Sequence, residues 1–357
     1  MNSHITSIST AVPKYKVGQT QALNFMAGVN NMNEAQRHDL EVLYRATGID
    51  TRYSVLKDFT KSPEESEYFN NTSLPTTAER LKLFRTEALN LSLESTKSCI
   101  AQSGIKKEEI THLITVSCTG LNAPGLDIDL IYKLGLRHNI ERLAINFMGC
   151  YAAFNAIKAA DNICKSSDAK VLIVCTELCS IHFQKGTDED TLLANALFGD
   201  GSASLLMESK PSINQSLQII AAHCDLLPAG EMEMAWGVGN FGFEMKLSSY
   251  VPDIISTGIS TLLNKHNQSF DFYAIHPGGK KILKVIEEQL NISKEQNIQA
   301  HEALRNYGNM SSPTILFVLQ SIFGNLKNAD SGKDILAMAF GPGLTLESLT
   351  LKVNIDA

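Results

Sequence analysis

Short apolar runs without polar alternation recur along the chain: His112-Leu-Ile-Thr-Val-Ser-Cys118, residues 143–147, Lys170-Val-Leu-Ile-Val-Cys175 and residues 334–340. Such runs suit strands buried on both faces, and the helical patterns between them predict an α/β protein. An earlier strand is expected over 5–12, closed by Pro13, and a helical pattern over 19–46 ends at Gly48. The Lys-, Glu-, Ser-, Asn- and Pro-rich stretch 57–77 reads as exposed loop. Apolar positions at Leu81, Phe84, Ala88 and Leu91 mark a helix over 78–103, stopped by Gly104. Further helices are expected over 126–134 and after Cys150.

The second half restates this rhythm, with helices over 251–264 and 280–290 and a strand over 270–275. Another helix should follow Ser311-Ser312-Pro313, where serine can cap and proline fits the first helical position. Gly199-Asp-Gly201 feeds one apolar strand and Gly341-Pro-Gly343 feeds another. That pairing predicts an internally duplicated fold, with halves at 1–212 and 213–357 and a boundary near 210–217.

Composition narrows the partners. The 357 residues carry a net charge of −7 with no basic cluster, which argues against nucleic acid or an anionic membrane surface. Seven cysteines without a C-x-x-C pair indicate neither a disulfide framework nor a zinc site, so no metal is expected and a reducing cytoplasm fits. No apolar run approaches the roughly 18 to 20 residues needed to span a bilayer, and the first residues lack a signal pattern, so a cytoplasmic location is expected.

Three polar motifs interrupt the apolar pattern: Gly149-Cys150, Ile275-His276-Pro-Gly-Gly279 and Tyr307-Gly-Asn309-Met-Ser-Ser312. Cys150 falls between an apolar run and an Ala-rich helix, where unpaired helix N–H groups favour a thiolate. A free cysteine is otherwise a small core hydrophobe. His276 also suits a turn bonded to a backbone carbonyl, and Asn309 a turn stabiliser. Strand ends and helix starts converge on the crevice where α/β proteins bind ligands, so a Cys, a His and an Asn can meet there.

Ala196-Leu-Phe-Gly-Asp-Gly201, Ile275-His-Pro-Gly-Gly279, Tyr307-Gly-Asn-Met-Ser-Ser312 and Phe340-Gly-Pro-Gly-Leu-Thr345 resemble, in order and spacing, the chalcone synthase-like type III polyketide synthases of the thiolase superfamily. The resemblance runs from about Ile5 to Leu351. It implies a thiolase-like duplicated fold, layered αβαβα with mixed sheets, whose N-terminal half carries the cysteine and whose C-terminal half carries the histidine and asparagine. It also implies a catalytic triad of Cys150, His276 and Asn309. Cys150 would take an acyl group from its coenzyme A thioester, with His276 holding the sulfur ionised. His276 and Asn309 would stabilise the enolate formed when malonyl-CoA loses carbon dioxide. Free CoA thioesters would suffice, with no other cofactor and no acyl carrier protein, and the enzyme would be a homodimer.

Residues around the cavity depart from the plant members. Phe198 matches the first of two gatekeeper phenylalanines, and the flexible Met245 stands at the second. Cys118 and Thr119 are expected on the cavity wall, with Ala123 in place of a large methionine and Ser311 beside Asn309. Cys179 and His182 replace threonines. The small residues Thr119, Ala123 and Cys179 resemble bacterial members that admit long acyl chains through a side tunnel, unless a larger neighbour fills the gap. His182 suits either an acid–base role in cyclisation or a wall histidine bonded to the backbone. For the CoA phosphates the candidates are Arg45, Arg52, Lys280 and Lys281, with surface charge the alternative for each. The resemblance implies an alkylpyrone or alkylresorcinol synthase using medium- to long-chain fatty acyl-CoA. A fatty-acid-initiating ketoacyl synthase and a cysteine-dependent thioester hydrolase are the alternatives.

Overall fold

The computed structural model describes residues 2–69, 74–266 and 269–355, so residues 70–73 of the expected loop lie outside it. Strand β1 (His4–Ala11) leads to the hairpin partners β2 (Tyr15–Gly18) and β3 (Thr51–Ser54), between which helices α1 (Gln19–Val29) and α2 (Glu34–Ala46) are inserted. The single helix expected over 19–46 is therefore two. Asn31 takes φ +50°, and Asn33 starts α2 with a reciprocal cap: its side chain accepts from Gln36 N–H while the Gln36 side chain accepts from Asn33 N–H. Asparagines bond nearby backbone as readily as they continue a helix, and three in four residues end α1 here.

The rest of the first half follows the apolar pattern closely. Helix α3 (Thr77–Ser103) is capped by Thr76 and Glu79 and stops at left-handed Gly104. Then come β4 (His112–Ser117), α4 (Leu126–Leu134), β5 (Glu141–Asn146), α5 (Ala152–Ser166), β6 (Lys170–Leu178), α6 (Glu189–Leu197) and β7 (Asp200–Glu208). The second half adds β8 (Gln215–Leu226), the hairpin β9 (Met234–Gly239) and β10 (Gly242–Leu247), α7 (Val251–Leu263), β11 (Phe272–Ile275) and α8 (Lys280–Leu290). It closes with α9 (Ile298–Tyr307), α10 (Thr314–Asn325), β12 (Asp334–Gly341) and β13 (Thr345–Ile355).

The duplication is visible in strand pairing. In the first half β4 runs parallel to β6, which pairs antiparallel with β7, which pairs antiparallel with β1. In the second half β11, β12, β13 and β8 repeat that sequence of directions. The two half-sheets join where His4 and Ile5 meet Gln218 and Leu217, giving the order β11-β12-β13-β8-β1-β7-β6-β4-β5. Helix α5 packs on β4, β6 and β7 and also on β13, while α10 packs on β11 and also on β1 and β7. These two helices thus fill the layer between the half-sheets, with α3 and α7 against the sheets as well, which is the αβαβα arrangement. Ala152, Ala153, Ala156 and Ala160 are wholly buried in α5, and their small side chains permit the close approach that a middle layer needs.

One close approach between the halves fixes the site. Gly149 takes φ +85°, and a methyl group on it would overlap the ring of Pro342, in the glycine turn of the second half. Gly149→Ala combines that overlap with a left-handed backbone, and we expect a loss of at least about 1–2 kcal/mol. Urea denaturation would read it as a lower midpoint; an unchanged midpoint would show that the two turns are not pressed together as described.

Candidate active site

Each polar motif is delivered by a strand or helix end. β5 stops at Asn146, Phe147 and Gly149 both take positive φ, and the chain turns so that Cys150 lies just ahead of α5. Phe147 is held in that conformation against the ring of Phe243, 5.2 Å away. His276 follows β11, its N–H donating to Met338 O of β12 at 2.8 Å. Asn309 follows α9, and its backbone is clamped to the first half. Its N–H donates to Leu197 O and its carbonyl accepts from Gly199 N–H, both at 2.9 Å.

The Asn309 side chain is oriented by three hydrogen bonds. Ser311 N–H at 2.8 Å and Thr314 Oγ1 at 3.4 Å donate to its Oδ1, its Nδ2 donates to Gly278 O at 3.4 Å, and both ends of the amide lie 3.9 Å from Cys150 Sγ. Neither ring nitrogen of His276 has a hydrogen-bond partner among the described residues, although the residue is buried. A buried imidazole with both nitrogens free is poised for a substrate group.

Cys150, His276 and Asn309 line one cavity of about 590 Å3, together with Cys118, Thr119, Cys179, Phe198, Met245 and Ser311. All but two of the residues expected at the site are therefore brought together. Ala123 is the first exception, and the expectation for it is corrected. It lies exposed in the turn between β4 and α4, joined to Pro124 by a cis peptide bond, and it lines neither this cavity nor the one beside it. In the single chain Ala123 thus stands apart from Thr119 and Cys179, which line the catalytic cavity.

His182 is the second exception and lines the adjoining cavity. Its Nε2 contacts Thr119 O at 2.7 Å and its Nδ1 accepts from Phe243 N–H at 3.0 Å, a pairing that requires the neutral ring with its proton on Nε2. Burial pushes its pKa down to about 3, and the ring stacks on Phe243 at 4.0 Å. A histidine with both nitrogens engaged by backbone braces the wall; the alternative of an acid–base role is not what this geometry offers.

Two residues escaped sequence reasoning. Glu177 is wholly buried within an otherwise apolar strand and accepts from Ser312 Oγ at 2.6 Å, Thr119 Oγ1 at 2.7 Å, Cys118 N–H at 2.9 Å and Ser117 Oγ at 3.2 Å. A carboxylate in so apolar a run was the available signal. Trp236, on β9, stands opposite Met245 of β10 and lines the catalytic cavity. Only the hairpin register reveals it.

The cationic candidates also separate. Arg52 is buried and donates to Asn195 O and Phe198 O and to Gln19, so it holds the α6 turn and is not free for phosphate. Arg45 bonds Glu41 O within α2. Lys280 and Lys281, at the start of α8, line a further cavity of about 710 Å3 that shares Leu247, Gly278 and Ile282 with the catalytic one.

Comparison with known proteins identifies the family. Family models described as chalcone and stilbene synthases match the chain at residues 2–211 for the N-terminal domain and 218–354 for the C-terminal domain. The chain belongs to the chalcone and stilbene synthase family. It is 30% identical over 363 residues to the alpha-pyrone synthesis polyketide synthase-like Pks18 of Mycobacterium tuberculosis, covering 98% of this chain and 91% of that protein. Type III polyketide synthase A of Arabidopsis thaliana is 31% identical over 335 residues, covering 88% and 84%. Among solved structures, PKS-I from Ectocarpus siliculosus superposes with a TM-score of 0.91 at 29% identity, covering 98% of each chain. The C-terminal type III polyketide synthase domain of Steely1 from Dictyostelium also gives 0.91, at 28% identity and full coverage of both. This synthase is a decarboxylating condensing acyltransferase of type III. Among its described residues no helix is long and apolar enough to cross a membrane.

The synthase's thiol and imidazole sit where single charges are unfavourable. Burial pushes Cys150 up to about 11, against hydrogen bonds from Ser311 and Asn309 that lower it, and the buried Glu177 charge adds to the rise. Burial likewise pushes His276 down to about 3. A proton moved from sulfur to imidazole would create both charges together, and their attraction would offset part of the burial penalty that each meets alone. His276→Ala removes that partner and leaves the burial effect on Cys150. We expect its alkylation by iodoacetamide at pH 7 to slow by roughly 10²-fold or more, the scale of a lost general base, and to recover only as pH nears the raised thiol pKa. Superimposable pH profiles for the two proteins would exclude proton transfer to His276.

Proposed function

We propose that the synthase loads a medium- or long-chain fatty acyl group from its CoA thioester onto Cys150 and extends it with malonyl-CoA to an alkylpyrone or alkylresorcinol-type product. The observation that carries this reading is the cavity around Cys150, whose wall is mainly apolar and whose Met245 is flexible where a rigid ring would select flat starters. The printed name of the mycobacterial relative, which refers to alpha-pyrone synthesis, supports it.

In this reading His276 takes the thiol proton as the sulfur attacks the acyl-CoA carbonyl, and coenzyme A leaves with a proton. Malonyl-CoA then loses carbon dioxide, and the electron pair of the broken C–C bond becomes an enolate. His276 and the Asn309 amide, held by Ser311 before reaction, donate to the enolate oxygen. The enolate carbon attacks the thioester on Cys150, expelling the thiolate and giving a β-ketoacyl-CoA two carbons longer, which reloads for the next round. Lys280 and Lys281 flank the entrance for the CoA phosphates. A homodimer fits the edge strand β5, beside which Leu121, Leu143 and Met148 are 41%, 42% and 37% exposed.

Product mass after incubation with malonyl-CoA and a series of saturated acyl-CoAs tests the reading. We expect products carrying two or more added acetate units, with kcat/KM rising as the starter lengthens, since each buried methylene contributes about 0.8 kcal/mol. A single condensation would indicate a ketoacyl synthase, and release of free fatty acid without extension a hydrolase.

A further inference from the structure

Condensation uses one thiol, yet Cys118, Cys150 and Cys179 all line the catalytic cavity. Cys118 is bound to the nucleophile's own turn. β4 and β5 run parallel with Ser117 opposite Asn146, and Phe147 N–H donates to Ser117 O at 3.3 Å, so both cysteines leave the same end of the sheet. Gly149 N–H then donates to Cys118 Sγ at 2.9 Å, which ties that sulfur to the residue just before Cys150. Cys179 opens the turn after β6 and has no such bond to the 147–150 turn among the described residues.

The cavity also sets which oxidation product it tolerates. Burial and the Glu177 charge hold the Cys118 thiol well above its ordinary value, against the Gly149 bond, and the nearby Cys150 adds to the rise. The two sulfurs therefore lie within each other's field. A cysteine oxidised to a sulfenic acid has two fates: further oxidation to a sulfinate, which carries a negative charge, or condensation with a second thiol, which leaves none. Glu177 already brings one wholly buried carboxylate to this wall, with Cys118 N–H among its donors. A second buried anion is disfavoured there, whereas a disulfide is neutral.

We propose that Cys118 is a resolving thiol, which captures peroxide-oxidised Cys150 as a reversible Cys118–Cys150 disulfide. In the first step the Cys150 thiolate attacks one oxygen of hydrogen peroxide and the O–O bond breaks. Sulfur is oxidised to the sulfenic acid, and the departing hydroxide takes the proton held on His276 and leaves as water. In the second step Cys118 attacks the sulfenic sulfur, the S–O bond breaks, and the Cys118 proton leaves with the hydroxide as a second water. Cys150 Sγ rotates away from the Asn309 amide, which it meets at 3.9 Å in the reduced protein. A dithiol reverses the bond by exchange and returns both thiols. The inference does not depend on which acyl group Cys150 carries.

The full-length wild-type protein is treated with hydrogen peroxide, its remaining thiols are blocked with iodoacetamide, and a non-reduced tryptic digest is weighed. Expected is peptide 108–133, which holds Cys118, joined to peptide 143–158, which holds Cys150, with synthase activity lost and then restored by dithiothreitol. Peptide 143–158 joined instead to 171–185, which holds Cys175 and Cys179, would overturn the assignment. So would added oxygens on Cys150 with Cys118 alkylated, or a Cys150 that peroxide leaves unchanged. In a second arm, Cys118→Ser removes the resolving thiol and keeps its size. Its Cys150 should gain two or three oxygens, and dithiothreitol should restore none of the activity that peroxide removes. Full recovery in that variant would also overturn the proposal.

Discussion

The cavity exists because the turns of the two halves interlock, and the backbone clamp on Asn309 is the interaction on which the rest depends. Asn309 belongs to the second half, yet its N–H and C=O both pair with Leu197 and Gly199 of the first. Those residues lead directly into Asp200 and β7, and Gly308, just before Asn309, approaches Leu197 O so closely that a side chain there would collide. Gly149 and Pro342 repeat the device on the other side of the cavity. With the backbones locked, bonds to Ser311 N–H, Thr314 Oγ1 and Gly278 O fix the Asn309 amide. Preorganisation here comes from backbone hydrogen bonds and tight turns, which cost no rearrangement when charge develops.

The same interlock explains why the chemistry is arranged as a cooperation of groups that are individually neutral. Cys150 and His276 are buried deeply enough that neither charge is stable alone. Glu177, close behind Cys150, is satisfied by four donors from β4, the turn after it and the start of the α10 segment. That network ties the first-half wall to the second-half Ser312 and gives the cavity floor a fixed shape. Breaking one partner would leave a buried carboxylate short of a donor, so the network resists piecemeal change.

Much of this was legible in the residues, for identifiable reasons. Strands such as 170–178 and 200–208 are buried on both faces and therefore appear as unbroken apolar runs. The triad motifs stand out because polar residues and glycines interrupt such runs at strand ends. By contrast β8 mixes buried, half-buried and exposed positions, α6 and α9 are short and weakly patterned, and none of the three was anticipated. The break between α1 and α2 depended on asparagine capping that apolar periodicity does not register. Ala123 was placed on the wall by resemblance, but it lies exposed in the turn between β4 and α4. Trp236 acquires its position only through pairing with Met245, a register that no local pattern encodes.

Three cysteines, Cys118, Cys150 and Cys179, line the catalytic cavity, so the central claim is that Cys150 alone among them carries the acyl group. Burial and the Glu177 charge push Cys118 and Cys179 well above ordinary thiols, and neither has the Asn309 amide beside it. Peptide mass spectrometry of the protein quenched in acid after mixing with palmitoyl-CoA measures this directly. A palmitoyl mass is expected on the peptide containing Cys150 and none on those containing Cys118 or Cys179. Palmitoyl found on either of the latter, with Cys150 free, would contradict it.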